Sequence, residues 1–193
     1  MSKSILILGD IVIDRSYYGN STRIAPEGPI PIINISNKVN TLGCIGNIIN
    51  NVTDFFDSVY TVICLDSDGV QIMKNLLPKK LKTKFFIQND RNIIIKNRIF
   101  CNNKIISRFD EEKIISINAD IETEINKYIN NLINTIDIVI ISDYDKGFLT
   151  DNILKNTINL CKERDIFVAI DPKGSDYIKY KNATLIKPNR KGA

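Results

Sequence analysis

One stretch in the carboxyl-terminal third decides the fold, and it reads Ile138-Val139-Ile140-Ile141-Ser142-Asp143-Tyr144-Asp145-Lys146-Gly147. After one predicted helix, a similar stretch reads Ile166-Phe167-Val168-Ala169-Ile170-Asp171-Pro172-Lys173-Gly174. Uninterrupted apolar runs of this length are typical of strands buried on both faces of a parallel sheet. Each strand is followed by a carboxylate, a lysine and a glycine. Ligands of such sheets bind at the carboxyl ends of the strands, so both loops are candidate site elements.

The paired loops predict a site for a hydroxylated anion. The carboxylates of Asp143 and Asp171 can accept hydrogen bonds from hydroxyl groups, and the ammonium groups of Lys146 and Lys173 can bind phosphate. The alternative is a pair of solvated loops with ordinary charged residues. Residue spacing alone leaves both interpretations open.

The rest of the chain predicts an α/β domain. Further apolar runs at 5–8, 59–65 and 183–186 alternate with helical patterns, which favours a parallel sheet flanked by helices. The middle differs, because short strand patterns at 85–87, 93–100 and 104–109 surround an Asn102-Asn103 turn. We expect a small antiparallel sheet covering one end of the main sheet. The prediction is one partial domain over residues 1–193, with lid strands inserted at about 12–36 and 85–110.

Composition excludes several classes of function. The 193 residues carry a net charge of +4 without a block of like charge, which argues against a nucleic-acid partner. No histidine is present, which excludes Ser-His-Asp triads and histidine-ligated zinc. Four cysteines lack C-x-x-C spacing and no secretory signal precedes the first strand, so we expect a cytoplasmic protein. No apolar run reaches the ~18 residues of a membrane helix, so no membrane partner is expected.

Three further groups are weaker candidates. Asp14, after the first strand, could accept sugar hydroxyls, although the neighbouring Asp10 could simply cap a turn. Gly43-x-x-Gly46-Asn47 before a helix could approach a ligand closely or merely form a turn. Basic residues alternate along the middle strands and could reach a phosphate or line a solvated hairpin face: Lys96, Arg98 and Arg108.

Several segments together, in one order, resemble the ribokinase-like (PfkB) sugar kinases. They are Leu8–Arg15, Arg23–Pro31, Gly43–Asn47, Ser142–Gly147, Asp171–Gly174 and Pro188-Asn189. Two of these segments, Arg23–Pro31 and Ser142–Gly147, narrow the resemblance to the kinase domain of the bifunctional heptose 7-phosphate kinase/heptose 1-phosphate adenylyltransferases of lipopolysaccharide-core synthesis. Only the amino-terminal part of that domain is matched, and the match runs from Ile5 to Asn189.

The resemblance implies a ribokinase-like sheet with a β lid and transfer of the ATP γ-phosphoryl group, with Mg²⁺, to the C1 hydroxyl of D-glycero-D-manno-heptose 7-phosphate. By the same resemblance, the sugar would be held by Asp14, Gly43 and Asn47. Lys173 and Arg98 would face the sugar phosphate, and Asp143, Lys146 and Asp171 would line the cleft. Asn189 would lie towards the nucleotide phosphates and Mg²⁺. No metal ligand is expected in the chain itself.

Departures from the family pattern are equally informative. Cys44 replaces the second glycine of the family's glycine pair, and Gly192 stands where the family carries glutamate. The Gly-Ala-Gly-Asp loop, which carries the catalytic base, is absent from these 193 residues. No catalytic residue is therefore expected here, and the carboxyl-terminal half of the fold is expected to be missing.

Two classes of function follow. The first is a heptose-phosphate kinase that is incomplete on its own and works with a separately encoded carboxyl-terminal half. The second is a catalytically inactive module that binds sugar phosphate or forms a homodimer through the β lid. A kinase for another sugar or a nucleoside is a weaker third alternative.

Overall fold

The computed structural model describes residues 3–188, which form ten strands and four α-helices. The strands are β1 Ser4–Gly9, β2 Ile11–Ile24, β3 Pro31–Cys44, β4 Ser58–Leu65, β5 Leu81–Ile87, β6 Ile94–Cys101, β7 Lys104–Glu111, β8 Ile138–Ser142, β9 Phe167–Asp171 and β10 Leu185–Ile186. The helices are α1 Ile45–Val52, α2 Ser67–Leu76, α3 Ala119–Leu132 and α4 Asp151–Glu163. Short 3₁₀ turns lie at Ile133–Thr135 and Ile178–Tyr180.

The main sheet has six parallel strands in the order β10-β9-β8-β1-β4-β5. All six residues of the central strand β1 are buried, because helices cover both of its faces. On one face α3 and α4 pack over Leu6, Leu8 and the alternate residues of β8 and β9. On the other, α1 and α2 pack over Ile5 and Ile7. The predicted α/β class is confirmed.

Helices α3 and α4 begin where the sequence supplies a capping side chain. Asn118 Oδ1 accepts a hydrogen bond from Ile121 N at 2.9 Å, and Thr150 Oγ1 accepts one from Ile153 N at 3.1 Å. Each side chain satisfies a first-turn N–H group that has no partner inside its helix. The α4 cap lies at the end of the loop after β8, and thereby fixes one end of that loop.

The second sheet forms the lid and has the order β3-β2-β6-β7. The pairs β2–β3 and β6–β7 are antiparallel hairpins, and Asn102 and Asn103 form the predicted turn with φ angles of 50° and 63°. The central pair β2–β6 is parallel, so the lid is a mixed sheet rather than the antiparallel sheet expected. Both strands leave the main sheet at the same end and therefore run in the same direction.

One strand assigned to the lid belongs to the main sheet. Residues 85–87, which the sequence pattern assigned to the lid strands, are the end of β5. Phe85 pairs with Ile63 of β4 in a parallel ladder. An edge strand is partly solvated, and the alternating lysines Lys82 and Lys84 gave it the polar pattern of a hairpin strand. Helix α1 ends at Val52, and Phe55 is 79% exposed beyond it.

The two faces of the main sheet are covered unequally at its β9–β10 end. Val168 and Ile170 are each 1% exposed beneath α4. On the opposite face, Phe167 is 44% exposed and Leu185 47% exposed. Helices α1 and α2 pack over β1 and β4 and stop short of this end, which leaves an open apolar face among the described residues.

Candidate functional site

The main sheet brings three strand ends together at its carboxyl edge. Gly9 of β1 lies in register with Ser142 of β8, which in turn pairs with Asp171 of β9. The backbone N–H of Asp143 donates to the carbonyl oxygen of Asp171 at 2.9 Å. The two loops that define the sequence pattern are therefore adjacent. We call this edge, with the loops that follow β1, β8 and β9, the sheet wall.

Asp143 is the most heavily engaged residue of the sheet wall. Its side chain is 3% exposed, and Oδ2 accepts from Lys179 Nζ at 2.7 Å and from Tyr180 Oη at 2.5 Å. Its other oxygen, Oδ1, accepts from the N–H of Asp145 at 2.8 Å. The predicted sugar-facing carboxylate thus has both oxygens occupied by the protein, and its contacts fix the shape of the wall.

The sequence did not predict Lys179 or Tyr180 as site residues. Asp143 affects the pKa of both side chains. Burial by itself lowers the pKa of Lys179, but the hydrogen bonds and charges of Asp143 and Tyr180 together outweigh burial and raise that pKa above its ordinary value. Burial, followed by the hydrogen bond to Asp143, raises the pKa of Tyr180 to about 12. The phenol therefore stays protonated and donates to the carboxylate at neutral pH.

The other predicted residues of the sheet wall differ in exposure. The Lys146 ammonium pairs with Glu112, and its backbone N–H donates to Asp10 Oδ2 at 3.0 Å. Asp171 is exposed and receives a 3.4 Å hydrogen bond from Ser142 Oγ. Lys173 is also exposed, with its backbone N–H donating to Tyr180 Oη at 3.1 Å. Asp171 and Lys173 are thus accessible to a ligand.

Facing this edge is the lid wall, which consists of Asp14, Gly43 and Arg98. Arg98 Nη1 of β6 donates to Asp14 Oδ1 of β2 at 2.7 Å, and the two side chains are 29% and 24% exposed. A Cβ built on Gly43 would lie 2.5 Å from Asp14 Oδ2 and 2.7 Å from Val12 Cγ2. The carboxylate can occupy its position only because residue 43 has no side chain.

Two further basic residues lie on the Asp14 face of the lid. Lys96 pairs in register with Asp14, and Arg108 pairs with Arg98. Arg108 binds both carboxylate oxygens of Asp110, at 3.1 Å and 2.6 Å, and the hydrogen bond holds the pKa of Asp110 below its usual value. The three basic residues thus share one face, as their alternation in the sequence suggested.

Cys44 marks the meeting point of the two walls. Burial raises the pKa of its thiol to about 12, and the charges of Lys96, Asp10, Asp14 and Lys146 also act on it. Its φ of 55° lies in the left-handed region that favours glycine, so the family's glycine is replaced here at the expense of backbone strain. Nearby, Asn47 is exposed in the first turn of α1.

The remaining predicted residue, Asn189, lies outside the described residues. Within residues 3–188, no group of three or more His, Cys, Asp or Glu side chains is arranged to hold a metal ion. Over the same residues, no helix combines the length and apolar character needed to cross a bilayer.

Comparison with known proteins identifies relatives in sequence and in fold. No family model matches the chain. The bifunctional protein HldE of Campylobacter curvus is 37% identical over 193 residues, which cover 98% of this chain and 41% of that protein. The chain thus spans about two fifths of the length of the curated relatives it matches.

Solved structures agree on the architecture. A possible 1-phosphofructokinase from Thermotoga maritima superposes with a TM-score of 0.74 at 14% identity, covering 98% of this chain and 61% of that one. Phosphofructokinase-2 from Escherichia coli gives 0.73 at 16% identity, covering 100% and 62%. The resemblance predicted from the motifs is confirmed: the chain has the ribokinase-like (PfkB) kinase fold and matches a part of the bifunctional HldE proteins in sequence.

Proposed function

We propose that this chain is the acceptor-binding part of an ATP-dependent carbohydrate kinase that phosphorylates D-glycero-D-manno-heptose 7-phosphate on its C1 hydroxyl. The observation that carries the proposal is the lid wall. Asp14 is held by Arg98 at 2.7 Å and lies against Gly43, and the sequence resemblance implies a sugar-binding role for this aspartate. The similarity to HldE proteins supports a heptose phosphate as the proposed substrate.

The chemistry of the two walls fits such an acceptor. A carboxylate accepts hydrogen bonds from sugar hydroxyls, and Asp14 is oriented for this by its ion pair. The phosphate of the substrate requires cations, which the lid supplies through Arg98 and Lys96 and the sheet wall through the exposed Lys173. We therefore assign the sugar to the lid side of the cleft and its phosphate to the space between these basic residues.

Transfer itself requires groups that this chain does not supply. Phosphoryl transfer depends on positioning and on charge stabilisation, and the nucleophile needs a base. The family's catalytic aspartate belongs to a Gly-Ala-Gly-Asp motif that does not occur in the 193 residues. We propose that further polypeptide supplies this base, and that ATP and Mg²⁺ bind together with it. The expected cellular location of the assembled enzyme is the cytoplasm.

The open apolar face of β9 and β10 is the proposed contact surface for that further polypeptide. Phe167 and Leu185 are 44% and 47% exposed there, while the opposite face of the same strands is buried. The solved kinases with this fold are longer, with about three fifths of their length matched. A segment continuous with this chain or a separately encoded half would bury these side chains and complete the cleft.

A second proposed contact is a homodimer through the lid. Its strands expose large apolar side chains, among them Ile24 at 63%, Ile105 at 60% and Phe109 at 46%. Exposed apolar clusters of this kind are typical of protein interfaces. Sedimentation of the chain at increasing concentration measures this association directly, and a monomer with Ile105→Lys at concentrations where the wild type dimerises would support it.

The proposed function is tested by calorimetric titration with D-glycero-D-manno-heptose 7-phosphate. We expect Asp14→Ala to weaken binding by about tenfold or more, because hydrogen bonds to a charged group are lost. Lys79→Ala, at an exposed residue away from the cleft, is the control and should bind like the wild type. Equal effects of the two substitutions, or no binding by the wild type, would contradict the site assignment.

A parallel assay separates the kinase from an inactive module. ATP consumption is measured with heptose 7-phosphate, with and without a polypeptide bearing the Gly-Ala-Gly-Asp motif. Turnover only with that polypeptide supports the kinase. Binding without turnover in either case favours a sugar-phosphate-binding module, and turnover by this chain alone would contradict the argument about the missing base.

A further inference from the structure

A buried ion pair lies behind the sheet wall and has no direct part in the proposed ligand contacts. The side chains of Asp10 and Arg91 are 2% and 9% exposed, and Arg91 Nη2 lies 3.2 Å from Asp10 Oδ1. Asp10 is the single residue between β1 and β2, and Arg91 lies in the loop between β5 and β6. The pair therefore joins the two places at which the chain leaves the main sheet for the lid.

The Asp10 carboxylate organises the loop between β8 and α4 (the β8–α4 loop, residues 143–150). Oδ1 accepts from the N–H of Phe148 at 3.0 Å, and Oδ2 accepts from the N–H of Lys146 at 3.0 Å. With Arg91 included, the carboxylate receives three hydrogen bonds, two of them from one loop. Asparagine has the same shape but is neutral and carries an NH₂ group, so at least one of its N–H donors would face the donors of Phe148, Lys146 or Arg91.

The Arg91 guanidinium binds carbonyl groups of three separate segments. Nε donates to Cys64 at the end of β4 at 3.1 Å, and Nη1 donates to Lys146 at 3.0 Å and to Ile115. This use of several fixed donors in one plane is specific to arginine, since an ammonium group cannot reach all of these carbonyl groups at once. Arg91 thus connects β4, the β8–α4 loop and the chain near Ile115.

The third of these segments returns from the lid. It joins β7 to α3 (the lid return segment, residues 112–118), and it is fastened to the β8–α4 loop at two more points. Ile117 N donates to the carbonyl oxygen of Gly147 at 3.0 Å, and Glu112 pairs with the Lys146 ammonium. Gln88 holds the segment from the other side, through Ser116 O at 3.1 Å and Asn118 N at 3.0 Å.

We infer that Asp10 and Arg91 are positioning residues that hold the β8–α4 loop and the lid return segment in one arrangement. They thereby fix the position of Lys146 relative to the lid. A buried ion pair adds little stability compared with apolar side chains of similar volume. Its distinctive contribution here is the directed set of hydrogen bonds to two irregular segments, the β8–α4 loop and the lid return segment. The inference rests on the proposed function only for the role of Lys146 in facing the ligand.

Amide hydrogen exchange of the ligand-free chain, measured by NMR at single residues, tests the coupling. In Asp10→Asn we expect exchange at Lys146 and Phe148 to become about tenfold faster or more, as expected for the loss of a charged hydrogen-bond acceptor. Exchange at Ile117 should accelerate too, although Asp10 does not contact the lid return segment. Arg91→Lys, which keeps the charge, should accelerate Lys146 and Ile117 in the same way.

Two controls make the outcome decisive. Arg164→Lys alters an exposed arginine directly after α4 and should leave all these rates unchanged. Val62 in β4 reports global opening, and its rate should rise by less than the rates at Lys146 and Ile117 in Asp10→Asn and Arg91→Lys. Wild-type rates at Lys146 and Ile117 in both Asp10→Asn and Arg91→Lys, or an equal acceleration at Val62, would overturn the inference.

Addition of D-glycero-D-manno-heptose 7-phosphate separates this inference from the proposed function. Slower exchange at Lys146 of the wild type upon addition, with less slowing in Arg91→Lys, supports both. An unchanged wild-type spectrum upon addition would count against the proposed function while leaving the coupling measured without ligand intact.

Discussion

On the sheet wall, the Asp143 carboxylate is 3% exposed and bound by Lys179 and Tyr180, whereas on the lid wall the Asp14 carboxylate is 24% exposed and, among residues 3–188, bound by Arg98. Both walls use an aspartate paired with a cation at 2.7 Å. They differ in how much water reaches the pair. A buried carboxylate loses the stabilisation that water gives its charge and needs protein partners in its place, whereas a partly solvated carboxylate keeps that stabilisation. The pairing therefore stabilises the fold on the sheet wall, and on the lid wall it leaves a carboxylate accessible.

The largest expected effect is the loss of stability in Asp143→Ala, which tests the structural role of the sheet wall. Removal of this carboxylate leaves the Tyr180 hydroxyl and the Lys179 ammonium without their acceptor. Breaking a fully buried pair costs about 3–5 kcal/mol, and since Lys179 is partly exposed we expect about 2–3 kcal/mol here. Urea denaturation followed by circular dichroism measures the loss. A change below about 0.5 kcal/mol, typical of a surface residue, would show that the sheet wall is not the rigid side.

Tyr180 allows the same point to be tested through pH. Its pKa is raised from the ordinary 10.0 to about 12, first by burial and then by Asp143. A raised pKa means that folding favours the protonated phenol, so this stabilisation is complete below pH 10 and is lost as the pH rises towards 12. The difference in unfolding free energy between the wild type and Tyr180→Phe should therefore shrink over that interval. A difference that stays constant from pH 9 to pH 12 would argue against the buried contact.

The smallest expected effect on stability belongs to the lid wall. Asp14→Ala removes a partly solvated ion pair, which contributes about 0.5 kcal/mol in comparable surroundings. The same variant is expected to lose sugar-phosphate binding, so its stability and its binding should respond very differently. Urea denaturation of Asp14→Ala beside Lys79→Ala measures the first quantity. A loss of several kcal/mol would mean that Asp14 is as structural as Asp143.

The sequence predicted the main sheet well because its strands are strongly apolar. Runs such as 138–141 can be buried only between two layers of helices, and their alternation with helical patterns predicted a parallel sheet flanked by helices. The assignment of residues 85–87 to the lid was wrong, since β5 is an edge strand in which Lys82 and Lys84 alternate with apolar residues. The alternation of polar and apolar residues indicates which side chains are exposed to solvent. An edge strand of the main sheet and a strand of a solvated hairpin therefore have the same sequence pattern.

For the candidate site, sequence reasoning located the loops but not their internal partners. Arg91 lies in a loop and Lys179 and Tyr180 lie in a short 3₁₀ turn, so none of them belongs to a periodic pattern, and each contacts the site through a residue distant in sequence. The available signal in the sequence is Asp10, which directly follows a buried strand, although the sequence is equally compatible with a turn cap at that residue. The sugar-facing role of Asp143 remains a prediction, and the structure shows its oxygens already engaged within the protein.

The parallel pairing of β2 with β6 has a consequence for the order of folding. Asp14 lies beside Lys96, which is roughly eighty positions later, with β3, α1, β4, α2 and β5 between them. The β2–β3 hairpin can form locally, but β6 can join it only after the intervening part of the main sheet has closed that long loop. We therefore expect the ion pair between Asp14 and Arg98 to form only after that loop has closed. In refolding experiments, recovery of sugar-phosphate binding should lag behind recovery of the main-sheet circular dichroism signal.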